Sequence, residues 1–326
     1  MGSPLYAVLA QAIDGDDELK ALTEGSREGQ PRANLLLAAV HFLLLRGARH
    51  LLREYYPTLG GTRPGAEVFP LFRDFALGHG EAVRRLVETR VTNTNEVGRS
   101  AVLRAGFGAL AEEESRPLYL IEIGPSAGLN MIWDRYGAQY LRDGAAVAEM
   151  LPDSKLVLSC EWKGEGEPPV GKLPHIAGRV GLELNPVNLA DQDDRDWLRA
   201  LVWPDQPQRL SRLQTAIGMF LEGPAQVRGG DALALLPAAL AQVPPGAGIC
   251  VYHTIALYQF SPQMRQALRD LLVTAALSRP VWYLSFEFAG GSDYAVNLTH
   301  HRDGVVRART LALAQPHGAW IDWGAR

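Results

Sequence analysis

From residue 116 onward the sequence alternates short apolar runs with longer amphipathic segments, and this alternation restricts the fold more than any other feature. Strands separated by helix-length segments are typical of crossover units, which build a mostly parallel sheet. The sequence therefore predicts an α/β fold for residues 116–326. The apolar runs predict strands at residues 118–123, 179–184, 225–228, 248–253 and 281–288, with one or two more between 305 and 323.

Residues 1–115 show a different pattern, in which apolar residues recur at helical spacing. Ser3 followed by Pro4 is typical of a helix start, and further helices are predicted at residues 32–55, 67–89 and 95–114. This pattern predicts an all-helical N-terminal region. Within the sheet domain, residues 150–178 are predicted to be an insertion, in which KLVLSCEWKGEGEPPV alternates like a hairpin.

Composition excludes several classes of protein. A 47% apolar content over 326 residues provides a large core, and two cysteines are too few for a disulfide scaffold, so a cytoplasmic protein is expected. The longest apolar run, residues 35–45, is shorter than the roughly 20 residues that cross a bilayer, so no membrane span is expected. The net charge is -4 and the basic residues are dispersed, so no nucleic-acid partner is expected.

The segment LYLIEIGPSAGLNMIWDRY joins the first predicted strand to an amphipathic, helix-like pattern. The strand ends near Glu122, and Gly124, Ser126 and Gly128 follow at two-residue spacing. Small residues let the backbone turn sharply beside a ligand, and the start of a helix offers N–H groups to it. The segment predicts a ligand-binding loop, and the alternative is a tight turn without a ligand.

Two chemistries fit this loop. As Glu-x-Gly-x-Ser-x-Gly it resembles the first motif of class I S-adenosylmethionine-dependent methyltransferases, with Ser126 in place of the usual middle glycine. As Gly-x-Ser-x-Gly it resembles a hydrolase nucleophile elbow, for which His300, His301 or His317 could supply the base. An elbow serine follows several strands, whereas this loop follows the first predicted strand. The order of elements therefore favours the methyltransferase.

The methyltransferase resemblance implies a Rossmann-like fold that binds S-adenosylmethionine, with acidic residues at successive strand ends. Glu183, after the second strand, would accept hydrogen bonds from the ribose hydroxyls. Glu161 is the competing candidate, because Glu183 lies 61 residues after Glu122 where about 20 is usual. Asp231, after the third strand, would face the adenine amino group, although a helix cap explains it equally well. A non-catalytic cofactor-binding protein would carry the same residues.

His253, at the end of the fourth predicted strand, is the predicted catalytic base. Ligand crevices of open α/β sheets lie at this end of the strands, and an imidazole titrates near neutrality. A buried histidine bonded to a backbone carbonyl is the alternative. The sequence contains neither a His-x-His nor a paired-cysteine spacing, so no metal site is expected.

The predicted substrate is a small or partly apolar molecule. The charges of residues 1–115 nearly cancel, and Phe69, Phe72 and Phe75 recur at three-residue spacing. A surface of this kind does not suit a polyanion. The same spacing also suits an ordinary helix core.

Three segments, TNEVGR, IGPSAGLN and RALVWP, are similar to segments of a bacterial family of uncharacterised proteins, a domain of unknown function. The resemblance implies that TNEVGR and the glycine loop belong to one functional unit. Asn95, Glu96 and Arg99 would then share one helical turn and close over the cofactor or its carboxylate end. The alternative is a capped helix start with an exposed ion pair.

Overall fold

The structure is a computed structural model that describes residues 2–290 and 293–325. The helices are α1 (Pro4–Asp14), α2 (Asp17–Ala21), α3 (Arg32–Leu45), α4 (Val68–Gly78), α5 (Gly80–Thr89), α6 (Arg99–Glu113), α7 (Gln192–Ala200), α8 (Pro207–Glu222), α9 (Ala232–Ala241) and α10 (Pro262–Ala276). The strands are β1 (Leu118–Ile123), β2 (Gly137–Arg142), β3 (Ala145–Met150), β4 (Val157–Trp162), β5 (Ile176–Glu183), β6 (Gln226–Gly229), β7 (Gly248–Thr254), β8 (Val281–Gly290), β9 (Asp293–Arg302), β10 (Val305–Ala314) and β11 (Trp320–Trp323).

The chain divides into two compact units. The helical unit comprises Met1–Thr94 and Val187–Gln214, and the sheet unit comprises Asn95–Pro186 and Thr215–Arg326. These ranges differ from the predicted division at residue 115, because α6 packs against β4, β8 and β9 and so belongs with the sheet. Every residue of α6 from Ser100 to Ala111 is buried, as expected for a helix surrounded by protein.

The helical unit forms its own apolar core. Ser3 caps α1 as predicted, because its side chain accepts a hydrogen bond from the N–H of Tyr6 at 3.0 Å. The predicted helix over residues 32–55 ends at Leu45, and a 3₁₀ helix follows at Leu51–Tyr55. The aromatic side chains of Phe72 and Phe75 are buried in this core.

The sheet unit contains an open sheet of 11 strands in the order β3-β2-β4-β11-β10-β9-β8-β7-β1-β5-β6. Six of its ten strand pairs are parallel and four are antiparallel. The predicted α/β class with a large, mostly parallel sheet is therefore confirmed. Among the described residues, no helix is both long enough and apolar enough to cross a bilayer.

The connection from β1 to β5 differs from the prediction. An amphipathic helix was expected after the glycine loop, but a 3₁₀ helix at Leu129–Arg135 leads instead into the β2–β3 hairpin. Asp143 and Gly144 form its turn with φ of 51° and 80°, a backbone twist that matches a hairpin. The hairpin predicted within KLVLSCEWKGEGEPPV was wrong, because this segment supplies only β4, which lies parallel to both β2 and β11.

Candidate functional site

The direction of strand addition reverses beside β1. In chain order, β5 and β6 add on one side of β1, and β7 and β8 add on the other. Ligands of open α/β sheets bind at the carboxyl ends of the strands at such a point. Four predicted site residues lie at this edge of the sheet, on β1, β5, β7 and just after β6, namely Glu122, Glu183, His253 and Asp231.

The glycine loop after β1 is held in an unusual backbone conformation. Gly124, Ser126 and Gly128 have φ of 68°, 57° and 81°. A Cβ atom on Gly124 would lie 2.8 Å from the Cβ of Ala256, so the loop touches the segment that follows β7. A serine in the left-handed region is destabilised by about 1–2 kcal/mol, and such conformations concentrate at functional sites.

Glu183 links the end of β5 to the glycine loop. Its Oε2 accepts the N–H of Ser126 at 2.8 Å, and its Oε1 accepts the N–H of Asn185 at 3.0 Å. A carboxylate has about four lone-pair positions, so both oxygens keep capacity to accept a further donor. The competing candidate, Glu161, lies on β4, which is separated from β1 by five other strands. The structure thus brings Glu183, and not Glu161, to the loop.

Asp231 follows β6 and is exposed at the same edge. Its side chain accepts the N–H of Leu233 at 2.9 Å and caps α9. Asp231 is therefore a helix cap, as the alternative interpretation predicts. A capping carboxylate still has lone pairs directed away from the helix, so the cap does not exclude a ligand.

Glu122 is buried beneath the loop with 1% of its surface exposed. The Tyr252 hydroxyl donates a hydrogen bond to its Oε2 at 2.9 Å. Burial raises the pKa of Glu122 to about 8, against the hydrogen bond from Tyr252; the charge of Glu183 adds to the increase and the charge of Arg99 opposes it. The carboxyl group is therefore neutral at pH 7 and forms part of the floor of the site.

The TNEVGR segment contacts the residues that follow the loop. The Asn95 side-chain oxygen accepts the N–H of Leu129 at 2.9 Å, and the Glu96 carbonyl accepts the Asn130 side-chain amide at 3.2 Å. The N–H of Leu129, which begins the 3₁₀ helix after the loop, is therefore already bonded to Asn95. Asn95 and Glu96 precede α6, and the Arg99 N–H donates to the Glu96 carbonyl at 3.4 Å, so Glu96 and Arg99 share the turn that leads into the helix.

Arg99 begins α6 and joins two loops of the sheet unit. Its Nη1 donates to the Thr254 carbonyl at 3.0 Å, and its Nε donates to the Pro316 carbonyl at 2.8 Å. His317 follows Pro316 in the chain, and its Nδ1 lies 3.2 Å from Oε2 of the buried Glu96. TNEVGR therefore lies against the glycine loop, the end of β7 and the turn between β10 and β11.

His253 is enclosed by protein with 1% of its surface exposed. Its Nε2 lies 2.7 Å from the Tyr283 hydroxyl, and its Nδ1 lies 3.5 Å from Oε2 of Glu287. The carboxylate of Glu287 accepts the N–H groups of Ala256 and Leu257 at 2.9 and 2.7 Å. Burial opposes ionisation of Glu287, but the neighbouring His253 and the backbone N–H donors of Leu257 and Phe288 outweigh it and lower the pKa of Glu287. This arrangement supports the loop after β7.

Sequence reasoning missed Ile255, which lies in that loop with φ of 49°. A β-branched residue with positive φ is a clear outlier, which the surrounding contacts must enforce. No local sequence pattern predicts this positive φ, because isoleucine is not a residue expected in this conformation. His317 was considered only as a hydrolase base, and its pairing with Glu96 depends on contact between residues 221 positions apart.

Two cavities of about 510 and 500 Å³ lie away from these residues. The first, in the sheet unit, is lined in part by Glu112, Glu167, Lys172 and Arg309. The second, in the helical unit, is lined in part by Phe42, His79 and Arg85. Within residues 2–290 and 293–325, no three His, Cys, Asp or Glu side chains form a cluster that could hold a metal ion.

A search of curated proteins gave no match to this chain. The profile of one family matches residues 1–323, which covers both units and all three segments that carry the family resemblance. The chain therefore belongs to the bacterial family described as "Uncharacterized protein conserved in bacteria (DUF2332)".

Proposed function

We propose that this protein binds S-adenosylmethionine where the strand order reverses and transfers its methyl group to a small or partly apolar acceptor. One observation carries the proposal. The loop after β1 has positive φ at Gly124, Ser126 and Gly128, and the acidic residue that ends β5, Glu183, is bonded to its backbone. A backbone of small residues beside a carboxylate suits a nucleoside ligand, because the ribose offers hydroxyl donors.

The strand order supports the proposal. The crossover strands β1, β5, β6, β7 and β8 occupy the sheet in the order 3-2-1-4-5 when numbered along the chain. The same order is found in doubly wound folds that bind nucleotides across this crevice. Beyond β8 the sheet continues with the antiparallel β9 and, further out, with the added strands β2 to β4. These strands do not cover the point where the strand order reverses, so they are compatible with this core.

The residues at the edge fit the cofactor. Gly124 and Arg99 are partly exposed on the β7 side, and Asn185 and Asp231 are exposed on the β5 and β6 side. Glu183 and Asp231 can accept hydrogen bonds from ribose hydroxyls and an adenine amino group. The bound cofactor supplies a methyl group activated by a sulfonium. The chain's own contribution is to hold the acceptor in line with that methyl group and to exclude water.

Calorimetry with S-adenosylmethionine and S-adenosylhomocysteine tests the proposal. A ligand at 100 times its dissociation constant adds about 2.7 kcal/mol to the free energy of unfolding, which a thermal shift detects. The absence of both heat and a thermal shift at millimolar ligand would contradict the proposal. Binding without methyl transfer to any acceptor would instead indicate a cofactor-binding protein that is not an enzyme.

A pair of matched variants locates the site. Asp231→Asn keeps a capping side chain but removes its charge, so α9 should remain stable while the affinity for S-adenosylhomocysteine falls by about tenfold. Asp191→Asn makes the same change at the cap of α7, whose aspartate accepts the N–H of Asp194 at 3.0 Å. Equal affinities in the two variants would exclude Asp231 from the site.

A serine hydrolase is the second candidate, and the positive φ of Ser126 favours it. A nucleophile elbow strains its serine in order to expose the hydroxyl. Ser126 is only 3% exposed, however, and a 3₁₀ helix follows it where an elbow continues into an α-helix. We expect a fluorophosphonate probe to leave Ser126 unlabelled. Stoichiometric labelling would replace the methyltransferase proposal with acyl transfer.

A further inference from the structure

We propose that His317, oriented by Glu96, is the general base of this site, and that the acceptor is a hydroxyl or neutral N–H group that loses its proton on methylation. The inference rests on the proposed function and specifies its substrate class. It assigns the base to a residue of the turn between β10 and β11 in place of His253.

The two side chains form an imidazole–carboxylate pair at the boundary of buried and exposed protein. Oε2 of Glu96 lies 3.2 Å from Nδ1 of His317, and the two side chains are 5% and 30% exposed. Oε1 of Glu96 accepts the N–H of Gly98 at 3.0 Å, which fixes the carboxylate. A buried carboxylate orients the imidazole base in the same way in the Ser-His-Asp triad.

The turn that presents His317 is held by several backbone contacts. The Gln315 side chain accepts the N–H of His317 at 2.6 Å, and Arg99 donates to the Pro316 carbonyl. Gly318 has φ of 78°, and a Cβ atom there would lie 2.1 Å from the Gly98 carbonyl oxygen. The turn therefore packs backbone against backbone on TNEVGR, and a catalytic side chain needs such support from its surroundings.

The pair lies next to the glycine loop. The backbone of Glu96 bonds to Asn130, and Asn95 bonds to Leu129, which directly follows Gly128. On the other side of the pair, Arg99, which is bonded to the turn, donates a hydrogen bond to the Thr254 carbonyl at the end of β7. His317 is therefore connected through Glu96 to the residues that follow the glycine loop, and through Pro316 and Arg99 to the end of β7.

Glu96 also fixes the tautomer of the imidazole. A carboxylate accepts a hydrogen bond from Nδ1–H, so the proton of a neutral His317 stays on Nδ1 and its lone pair is on Nε2. Among the residues that the structure describes, no side chain or backbone group hydrogen-bonds to this Nε2. His253 differs, because its two ring nitrogens face Tyr283 and Glu287.

This geometry selects the acceptor class. As the bond from the acceptor oxygen or nitrogen to the methyl carbon forms, the carbon–sulfur bond breaks and its electron pair stays on sulfur. The acceptor's proton passes to Nε2 of His317 and then to water. A carboxylate acceptor has no proton to lose and would gain nothing from this base, so the pair indicates a hydroxyl or neutral N–H substrate.

Nitrogen NMR of the ring tests the positioning role of Glu96. In the wild type at neutral pH, the neutral His317 should carry its proton on Nδ1. Glu96→Gln keeps the shape, and its side-chain carbonyl can still accept the Gly98 N–H, but its amide donates toward the ring and moves the imidazole proton to Nε2. The same tautomer in both proteins would overturn the assignment, because a merely structural glutamate need not control it.

Modification by diethyl pyrocarbonate tests whether His317 faces the ligand. The reagent acylates an unprotonated ring nitrogen, and mass spectrometry measures each histidine separately. His317 should react, Glu96→Gln should slow it by about tenfold or more, and saturating S-adenosylhomocysteine should protect it to a similar degree. His175 is exposed, and among the described residues its backbone carbonyl alone takes part in a hydrogen bond, so its rate should stay constant and serves as the control.

The outcomes separate this inference from the proposed function. If S-adenosylhomocysteine binds by calorimetry but does not protect His317, the base is assigned wrongly and the proposed function stands. If the ligand does not bind at all, the proposed function fails and the acceptor class fails with it. Binding, protection and the Nδ1–H tautomer together support the proposal.

Discussion

Buried ionisable groups play different parts in the two units. In the helical unit, His41 is fully buried, and its ring nitrogens lie 3.0 Å from the Ala200 carbonyl and 2.9 Å from the Thr58 hydroxyl. Its partners are neutral, so it completes a core. In the sheet unit, buried or half-buried glutamates bond to loop backbone or to tyrosine and histidine side chains, namely Glu96, Glu122, Glu183 and Glu287. There the carboxylates shape the loops at one edge of the sheet.

Backbone strain follows the same division. Among the described residues, all five non-glycine residues with positive φ belong to the sheet unit. Two of them, Ser126 and Ile255, lie in the loops after β1 and β7. Asp196, a buried carboxylate of the helical unit, is paired with Arg46 and Arg199, whereas the four glutamates of the sheet unit bond to loop backbone or to tyrosine and histidine side chains. The sheet unit also accepts unfavourable backbone conformations, as expected where binding is selected over stability.

The largest expected effect comes from Arg104, a fully buried cation of α6 that donates to the carbonyls of Trp133 and Tyr136. Arg104→Met removes the donor and leaves these carbonyls unpaired, so the free energy of unfolding in urea should fall by about 4 kcal/mol. Arg85→Met, at an exposed ion pair with Glu81 in the helical unit, should cost about 0.5 kcal/mol or less. A loss below about 1 kcal/mol for Arg104→Met would remove the contrast between the units.

The next effect concerns Glu122, whose folded-state pKa is raised to about 8, mainly by burial. A carboxyl group with a raised folded-state pKa makes its full contribution to the free energy of unfolding below its ordinary pKa near 4.5. This contribution falls as the pH rises toward 8. Relative to wild type, Glu122→Gln should therefore gain about 2.5 kcal/mol between pH 5.5 and pH 7.5 in urea titrations. A difference that does not change with pH would show that Glu122 is already ionised.

His41 should respond to pH in the opposite direction. Burial lowers its pKa to about 4, so its contribution to stability is complete above its ordinary pKa near 6.5 and is lost as the pH falls toward 4. From pH 7 to pH 5 the wild type should lose about 2 kcal/mol that His41→Gln does not lose, since a glutamine amide stays neutral. Parallel curves for the two proteins would refute the expectation.

The smallest effect concerns the strain at Ser126. Ser126→Gly relieves the positive φ, whereas Ser126→Ala retains it, and both variants lose the hydroxyl. The glycine variant should therefore be about 1 kcal/mol more stable than the alanine variant in chemical denaturation. An alanine variant of equal or greater stability would mean that the loop relaxes without cost, and the proposed concentration of strain at this edge would not hold.

Several elements of the sheet unit could be predicted from local pattern. Strand β1 spans the predicted residues, and β5, β6, β7 and β8 lie within a few residues of theirs, because each is a short apolar run between turn residues. The β2–β3 hairpin was missed although Asp143-Gly144 is a strong turn signal, because the prediction placed a helix after the glycine loop and assigned no strand between that helix and residue 150. The same dipeptide at 303–304, with φ of 51° and 76°, connects β9 to β10.

The sequence by itself determined the α/β class, the glycine loop after the first strand and the family, because each depends on residues that are close together in the chain. Only the tertiary structure decided that Glu183 and not Glu161 reaches the loop, and that Glu96 meets His317 across 221 positions. These pairings depend on strand order and loop closure, which local periodicity does not encode. Burial likewise made Glu122 neutral and enclosed His253, since the cost of a buried charge is set by the groups that surround it.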